Sequence, residues 1–267
     1  MPHNTRVVAI ANQKGGVGKT TTAINFAASL AHYGQKTLVI DLDPQGNASS
    51  GLGFPKDQVQ LGSIDVILGE AELTNTIQST IVEGLDLLPA TRELIGAEVE
   101  LMQTEKRETR LKNALVNAAN HYDWVILDCP PSLGFLTVNA LVAADSVLIP
   151  VQAEYYALEG LGELLRTLSV VRKRLNSSLR REGIVLTLHD TRNNLCNMVE
   201  EQLRELFKGE VMETVIPRNV RLGEAPSYGR PILAYDPSCW GARAYLSLAR
   251  EVLAKYEIST LARKEAV

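Results

Sequence analysis

Short apolar runs rich in Val, Ile and Leu alternate along the chain with longer segments of helical periodicity. The runs are almost continuously apolar, which is typical of strands buried on both faces of a parallel sheet. They predict strands at residues 7–11, 37–40, 85–88, 124–127, 146–151, 184–188 and 211–216. Helices are predicted at residues 20–32, 97–119, 135–143, 158–175, 198–207 and 242–255. This alternation indicates βαβ crossovers, so we expect an α/β fold with a doubly wound, mostly parallel sheet flanked by helices.

The least regular stretch, residues 47–75, is interpreted as a loop plus a short helix over the sheet edge. No segment has the length and composition of a linker between domains, so residues 1–267 are expected to form a single domain. The ends, residues 1–5 and 259–267, are expected to be flexible. Trp240 is expected to pack.

Composition excludes several classes of protein. The three cysteines are far apart and form neither a disulfide framework nor a CxxC metal site. No apolar run approaches the roughly 20 residues that a membrane helix needs. The chain has 27 Lys and Arg against 31 Asp and Glu, a net charge of −4. Taken as a bulk value, this charge argues against a nucleic-acid partner.

A glycine-rich segment follows the first predicted strand and precedes the first predicted helix, where a phosphate-binding loop belongs. Its glycines let successive backbone N–H groups point at one anion, and the helix adds its N-terminal dipole. We expect Lys19 to reach the β- and γ-phosphates, Thr20 to bind Mg²⁺ and Thr21 to donate to the α-phosphate. A glycine-rich turn without a ligand is the weaker alternative. The segment is Gln13-Lys14-Gly15-Gly16-Val17-Gly18-Lys19-Thr20-Thr21.

Two positions depart from the ordinary pattern of this loop. Gln13 replaces the first glycine, and Lys14 adds a second lysine. Lys14 cannot easily fold back onto phosphates that its own loop wraps. A cation without a partner in its own chain is expected to act on the nucleotide of a neighbouring subunit, and a solvated surface lysine is an equal alternative.

Two of the predicted strands lead into carboxylates. Asp128 follows the strand at 124–127 and is expected to hold Mg²⁺ directly or through water. Asp41 and Asp43 follow the strand at 37–40, and the two-residue period of a strand sends them to the same side. One can support the metal shell, and the other can orient or deprotonate an attacking water. Turn-capping aspartates are the alternative at both places.

These motifs resemble those of the deviant Walker ATPases. They are KGGVGKTT at residues 14–21, DLDPQGN at 41–47 and DCPPS at 128–132. Two later segments, EYYALEG at 154–160 and IPRNVRLGEAP at 216–226, resemble the ParA/Soj chromosome- and plasmid-partitioning ATPases. The likeness covers roughly residues 6–256. It implies a P-loop NTPase fold of the deviant Walker type and a Mg²⁺-dependent ATPase.

The resemblance implies a role for each matching residue. Lys14 corresponds to the signature lysine, which reaches across a nucleotide-sandwich dimer to the partner's phosphates. Lys19 and Thr20 correspond to the in-subunit lysine and the Mg²⁺ ligand. Asp43 corresponds to the acidic residue tied to water activation, and Asp128 to the Walker B carboxylate. The adenine-lining positions correspond to Asp190, Pro217, Arg218 and Asn219.

The resemblance also implies an ATP-bound homodimer that binds double-stranded DNA without sequence specificity, and a ParB-type centromere-binding partner that stimulates hydrolysis. Such a protein is cytoplasmic and nucleoid-associated, with no membrane partner. The local charge agrees with DNA binding, because residues 166–230 hold 12 Lys and Arg against 8 Asp and Glu, which leaves −8 on the rest of the chain. A solvated helix end and loop explain the five cations at residues 172–174, 180 and 181 equally well. The candidate DNA-binding residues are Arg192, Arg218, Arg221 and Arg230.

Three other functions are weighed against this one. An orphan ParA-like ATPase that positions a protein cargo has the same sequence features. A membrane-cycling regulator like MinD needs a C-terminal amphipathic helix, and residues 258–267 are too weakly apolar for that. An electron-transfer reductase like the nitrogenase iron protein needs cluster-binding cysteines, and Cys129 has no credible second ligand.

Overall fold

The computed structural model of the protein describes residues 5–118, 121–154 and 157–265. The strands are β1 (Arg6–Ile10), β2 (Thr37–Asp41), β3 (Gln78–Ser79), β4 (Leu85–Leu88), β5 (Trp124–Asp128), β6 (Ser146–Gln152) and β7 (Arg180–Thr187). The longer helices are α1 (Lys19–His32), α6 (Arg110–Ala118), α7 (Phe135–Ala143), α8 (Ala157–Arg174), α9 (Asn194–Leu206) and α12 (Trp240–Glu265). Short helices are α2 (Asn47–Gly51), α3 (Ser63–Leu68), α4 (Leu73–Thr76), α5 (Ala97–Met102), α10 (Val220–Glu224) and α11 (Ile232–Tyr235).

The described strands form one sheet in the order β3-β4-β2-β5-β1-β6-β7. Neighbouring strands are parallel, except that β3 runs antiparallel to β4. Alternate residues of β1 point to opposite faces, because Val7 and Ala9 belong to one apolar cluster and Val8 and Ile10 to another. Helices α6, α7 and α8 supply the first cluster, and α1 and α12 supply the second. The expected doubly wound, mostly parallel sheet is therefore confirmed.

The strand predicted at residues 211–216 is wrong. This segment follows the edge of β7 and meets it at the isolated bridge between Ile184 and Val211. Met212 N and Ile216 N still donate to Ile184 O and Leu186 O of β7 at 2.8 Å, but between them the backbone N–H groups of Glu213 and Thr214 donate to the carboxylate of Glu251 on α12 at 2.8 and 2.9 Å. Those donors are lost to β7, so no continuous ladder forms.

The helix predicted at residues 97–119 is interrupted. Helix α5 ends at Met102, and α6 begins at Arg110 after a 3₁₀ turn at Arg107–Thr109. Lys106 adopts a left-handed backbone with φ 52°, which a right-handed helix cannot contain. The irregular stretch at residues 47–75 holds α2, α3 and the start of α4 rather than a single short helix.

The two ends of the chain give no test of the expected flexibility. Residues 1–4, 266 and 267 lie outside the described residues, as does residue 119 of the predicted helix. The backbone of α12 continues as a helix through Glu265, beyond the predicted end at residue 255. No helix in the described part of the chain is long and apolar enough to cross a membrane.

Trp240 does not pack, contrary to expectation. Its side chain begins α12 and is 71% exposed, with the guanidinium of Arg243 5.2 Å from the ring centroid. The other tryptophan, Trp124 in β5, is fully buried between the sheet and α1.

The turn that joins α8 to β7 is fixed by one buried amide. Asn176 Nδ2 donates to the carbonyl oxygens of Leu141, Val142 and Ala144 at 3.0, 3.2 and 2.8 Å. These carbonyls belong to the C-terminal end of α7, where helix geometry leaves them without partners in the helix. Asn176 therefore caps α7 and holds the start of β7 in place.

Replacing Asn176 with Ala is expected to lower the free energy of unfolding by about 1–3 kcal/mol, because buried carbonyls lose their donor. Denaturant unfolding followed by circular dichroism measures the change. The matched control is Asn113→Ala on the exposed side of α6, for which the expected change stays within about 0.5 kcal/mol. Equal effects of the two substitutions would contradict the capping role.

Candidate nucleotide-binding site

The glycine-rich loop lies between β1 and α1, at the carboxyl edge of the sheet, where ligands of α/β proteins bind. Side chains from neighbouring elements brace it. Asn12 Nδ2 donates to Pro150 O at 2.7 Å, while Asn12 Oδ1 accepts from the Lys14 backbone N–H at 3.0 Å. On the other side, Thr187 Oγ1 at the end of β7 donates to Val17 O at 2.8 Å. The loop is thereby held between β6 and β7.

The backbone of the loop is shaped for an anion. Gly16 and Gly18 have φ values of 75° and 80°, in the left-handed region that side chains disfavour. Apart from their chain neighbours, no described atom lies within 4 Å of the position that a Cβ would occupy at Gly15 or Gly16, so both glycines border open space. Gly18 is the N-cap of α1, and no side chain caps that end. The first N–H groups of α1 are therefore available to phosphate oxygens.

Lys19 lies at the centre of the site and is only 7% exposed. Its Nζ donates to Lys14 O at 2.9 Å, so the ammonium group folds over its own loop. Burial lowers the pKa of Lys19, and the negative charges of Asp128 and Asp43 oppose that shift. The charges of these two carboxylates stabilise the buried ammonium group, which lies beside the space that an anion in the loop would enter.

Asp128 is the clearest candidate for a metal ligand. It ends β5, is fully buried, and both of its carboxylate oxygens lack a hydrogen-bond partner among the described residues. Burial and the charge of Asp41 hold its pKa well above the usual range, although the nearby Thr20 hydroxyl and Lys19 act in the opposite direction. Buried carboxylate oxygens without donors are unfavourable unless a cation or a proton satisfies them.

Asp41 has a structural role. Its carboxylate accepts hydrogen bonds from the Ser49 N–H at 2.8 Å, the Ser49 hydroxyl at 2.6 Å and the Asp43 N–H at 3.1 Å. Burial raises the pKa of Asp41 to about 6, and the hydrogen bonds from Ser49 oppose the shift. With its oxygens occupied by α2 and by the following turn, Asp41 fixes the position of Asp43.

Asp43 is the carboxylate of the second strand that remains available for chemistry. It is 7% exposed, and its Oδ1 accepts from the Gln45 N–H at 2.9 Å. Its charge acts on both Lys19 and Asp128, which places it beside the phosphate loop. That one of these aspartates supports the metal shell and the other acts on water stays a prediction, and Asp41 is the one whose oxygens are already occupied.

These residues fit a nucleotide with Mg²⁺. Asp43 and Asp128 act on the buried Lys19, and Asp41 acts on Asp128, so added positive charge is favourable when the carboxylates are ionised. Among the described residues, however, no group of three or more His, Cys, Asp or Glu side chains can hold a metal ion alone. Mg²⁺ commonly completes its shell with waters and substrate phosphates, so Thr20 and Asp128 would hold it together with those ligands.

Lys14 has a partner in its own chain, contrary to the expectation from the sequence. Its Nζ forms an ion pair with Oε1 of Glu154, and the two side chains are 32% and 35% exposed. The reason is topological, because β1 and β6 are neighbours and these residues follow them at the same edge. Glu154 opens the segment EYYALEG at residues 154–160, and no local signal in the sequence identifies it as the partner of Lys14.

The predicted adenine segment is anchored to the extension of β7. Pro217 bridges to His189, with hydrogen bonds from His189 N to Ile216 O at 3.1 Å and from Arg218 N to His189 O at 2.9 Å. Asn219 caps α10 by accepting from the Arg221 N–H at 2.9 Å, which leaves its amide N–H groups able to donate. Since Thr187 touches the phosphate loop, this segment lies beside the loop.

Two of the four candidate DNA-binding arginines are paired with carboxylates. Arg192 forms two hydrogen bonds to Asp190, at 2.9 and 2.8 Å, which hold the pKa of that carboxyl well below its usual range. Arg221 pairs with Glu224 at 2.8 Å and with Asp236 at 3.6 Å. The sequence predicts that Asp190 lines the adenine and that Arg192 binds DNA. Their ion pair therefore joins a candidate nucleotide-binding residue to a candidate DNA-binding residue.

The other two arginines have no ion pair among the described residues. Arg218 follows Pro217, and Arg230 follows the 3₁₀ turn at Ala225–Tyr228. Arg218 lines a cavity of about 730 Å³ together with Asp190, Arg192 and Trp240. The structure thus brings Asp190, Arg192 and Arg218 together at the outer end of the adenine segment.

Lys19→Ala is expected to weaken ATP binding at least about 100-fold, because charge-assisted bonds to two phosphates are lost. Titration with a fluorescent ATP analogue measures the affinity. Lys112→Ala, on the exposed side of α6, is the control and should bind normally. Unchanged affinity in Lys19→Ala would refute the assignment of the loop.

The effect of Mg²⁺ on nucleotide affinity is expected to shrink as the pH falls from about 8 to about 6, because Mg²⁺ must displace a proton from the Asp128–Asp41 pair. The raised pKa values of both carboxyls determine the direction. Calorimetry of ADP binding with and without Mg²⁺ measures the effect. The control is Asp128→Asn, in which the phosphates of the nucleotide still titrate but the metal-binding carboxylate is absent. In this variant Mg²⁺ should change the affinity for ADP only slightly at either pH. A wild-type Mg²⁺ effect that does not change with pH would contradict the account.

Comparisons with known proteins identify the family to which the chain belongs. A family model described as an AAA domain matches residues 5–181. The sporulation initiation inhibitor protein Soj of Bacillus subtilis is 55% identical over 93% of this chain and 98% of its own, and the chromosome partitioning protein ParA of Myxococcus xanthus is 52% identical over 93% and 88%. A solved structure of cobyrinic acid a,c-diamide synthase from Mycobacterium smegmatis with bound ADP and magnesium has a TM-score of 0.84 at 37% identity, over 95% of this chain and 96% of that one. The chain belongs to the Soj/ParA family of chromosome-partitioning ATPases.

Proposed function

We propose that this protein partitions DNA through an ATP-dependent switch. ATP closes two copies of the chain into a dimer, the dimer binds double-stranded DNA without sequence specificity, and hydrolysis releases the DNA. A ParB-type centromere-binding protein stimulates that hydrolysis. The protein then acts in the cytoplasm, in association with the nucleoid.

The observation that carries the proposal is the continuity between the phosphate loop and the arginines. Thr187 contacts the loop at Val17, and the next residues of the same chain segment hold Pro217 and Arg218 by backbone hydrogen bonds. The proposed nucleotide contacts lie at one end of this continuous stretch of backbone, and the proposed DNA contacts lie at the other end. A ligand that orders the first end therefore changes the second.

In the proposed site, each residue has one task. The backbone of Gly15, Gly16, Val17 and Gly18 donates to the phosphates, Lys19 neutralises their charge, and Thr21 donates to the α-phosphate. Mg²⁺ supplies a second positive charge, held by Thr20 and Asp128. Asp43 orients the attacking water and accepts its proton. The base contacts are assigned to Asp190, Pro217, Arg218 and Asn219.

Lys14 must leave Glu154 before it can reach the phosphates of a second subunit. The two side chains are each about one-third exposed, so water screens the pair. Breaking a pair of this kind costs on the order of 1 kcal/mol. A phosphate of the partner's nucleotide carries more charge than one carboxylate, so the exchange favours the dimer when nucleotide is bound.

The arginines at the outer end of the segment are suited to exchange partners in the same way. The side chain of Arg192 is 88% exposed and that of Arg221 is 53% exposed. Phosphates of DNA can replace Asp190 and Glu224 at these guanidinium groups with bidentate geometry. Two subunits double the number of such contacts, and affinity for DNA rises steeply with that number.

Arg221→Glu is expected to weaken DNA binding by at least about 10-fold at moderate salt, because a phosphate contact becomes a repulsion. Dimerisation with ATP should remain, since Arg221 lies outside the phosphate loop. Filter binding measures the DNA affinity, and light scattering measures the dimer. Arg250→Glu on the exposed side of α12 gives the same change in net charge and serves as the control. Unchanged DNA retention in Arg221→Glu would place the DNA surface elsewhere.

A further inference from the structure

A second cluster of cations lies at the opposite edge of the sheet from the nucleotide site. Residues 166–181 contain six Lys and Arg and no Asp or Glu. Four of these cations line one cavity of about 410 Å³, between the end of α8 and the start of β7. We call this group the amino-edge patch, and it consists of Arg172, Lys173, Arg180 and Arg181.

The patch is separate from the arginines near the adenine segment. Arg180 and Thr187 are the two ends of β7. Seven steps of about 3.3 Å along a strand put these ends about 23 Å apart. Thr187 contacts the phosphate loop, so the amino-edge patch lies far from any nucleotide bound there.

The cations of the patch are held on a rigid frame. Asn176 fixes the turn between Arg172 and Arg180 through three buried hydrogen bonds. Arg181 is oriented by Glu210 at 2.6 Å, and Arg180 lies against the ring of Tyr256, whose hydroxyl it approaches at 3.4 Å. Their guanidinium groups are therefore positioned before any ligand arrives, which reduces the entropic cost of binding.

The remaining members of the patch are available. Arg172 and Lys173 are exposed in the last turn of α8, and neither has an ion pair or side-chain hydrogen bond within the described residues. None of the described residues that line the cavity is acidic. The partial negative charge of the C-terminal carbonyl groups of α8 explains in part why Arg172 and Lys173 occur in its last turn. It does not account for Arg180 and Arg181, which belong to another element.

The chemistry of the lining favours a nucleic-acid backbone. Guanidinium groups bind phosphate oxygens with two parallel hydrogen bonds. Ser169 and Ser177 add hydroxyl donors of the kind that contact phosphates without reading sequence. The apolar residues Val170 and Leu175 are exposed nearby. Two side chains offer little surface for insertion into a membrane, so the polyanion that fits is double-stranded DNA rather than a lipid surface.

We propose that the amino-edge patch is a second binding site for double-stranded DNA. The site is independent of the arginines at the carboxyl edge. This inference rests on the proposed function, in which the carboxyl edge already binds DNA. A protein with DNA sites at both edges holds two DNA segments at once and bridges them.

The test is a capture experiment with two duplexes. One duplex is fixed to beads, the full-length protein is loaded with ATP, unbound protein is washed away, and a fluorescent second duplex is added. The wild-type protein should retain the second duplex. Arg172→Glu/Lys173→Glu should bind the beads within about 3-fold of wild type yet capture the second duplex at least about 10-fold less.

The control for bulk charge is Lys112→Glu/Arg250→Glu, which changes the net charge equally at exposed sites on α6 and α12 and should capture normally. The milder variant Arg172→Gln/Lys173→Gln keeps helix-forming side chains. It should reduce the slope of log capture against log salt by about 2, for two lost phosphate contacts. Circular dichroism confirms that both patch variants fold.

Equal capture by the wild type and both patch variants overturns the inference. So does a loss of binding to phosphatidylglycerol vesicles with DNA capture unchanged, which assigns the patch to lipid. The proposed function fails separately. If Arg221→Glu captures the second duplex as the wild type does while the patch variants do not, the carboxyl-edge surface is wrong and the amino-edge site stands.

Discussion

The site depends on one electrostatic constraint, namely the crowding of Asp41, Asp43 and Asp128 in one buried cluster, in which Asp43 and Asp128 act on Lys19. Strands β2 and β5 end side by side, so Asp41 and Asp128 are paired in register. Parallel strands leave no freedom to separate them. The charges of Asp43 and Asp128 hold Lys19 in a buried position that desolvation alone would make unfavourable. Both carboxylate oxygens of Asp128 lack a hydrogen-bond partner among the described residues, and the first N–H groups of α1 are available to phosphate oxygens. Together they favour a phosphate that binds as its complex with a metal cation.

Strand β7 connects the other parts of the molecule. Its carboxyl end braces the phosphate loop through Thr187 and carries the backbone that holds Pro217 and Arg218. Its amino end carries Arg180 and Arg181. A single edge strand thus touches the nucleotide site and lies next to both groups of cations. The acidic net charge of −4 conceals this arrangement, because residues 166–230 carry a net charge of +4 and the rest of the chain carries −8.

The sequence predicted the sheet and the phosphate loop well, because apolar periodicity and glycine spacing are local signals. It failed where distant contacts decide. The strand predicted at residues 211–216 is lost to Glu251, a residue 38 positions from Glu213. The ion pair between Lys14 and Glu154 joins residues 140 positions apart. No local pattern carries such information, since these pairings depend on which strands are neighbours and on how α12 packs against the sheet.

The central claim is that DNA affinity depends on the bound nucleotide. Co-sedimentation of the protein with double-stranded DNA in ATP, ADP or no nucleotide, repeated across a range of salt concentrations, tests it most directly. The account predicts strong sedimentation in ATP alone, with a steep loss as salt rises because several phosphate contacts form at once. Equal sedimentation in all three nucleotide states, or none in ATP, would contradict it.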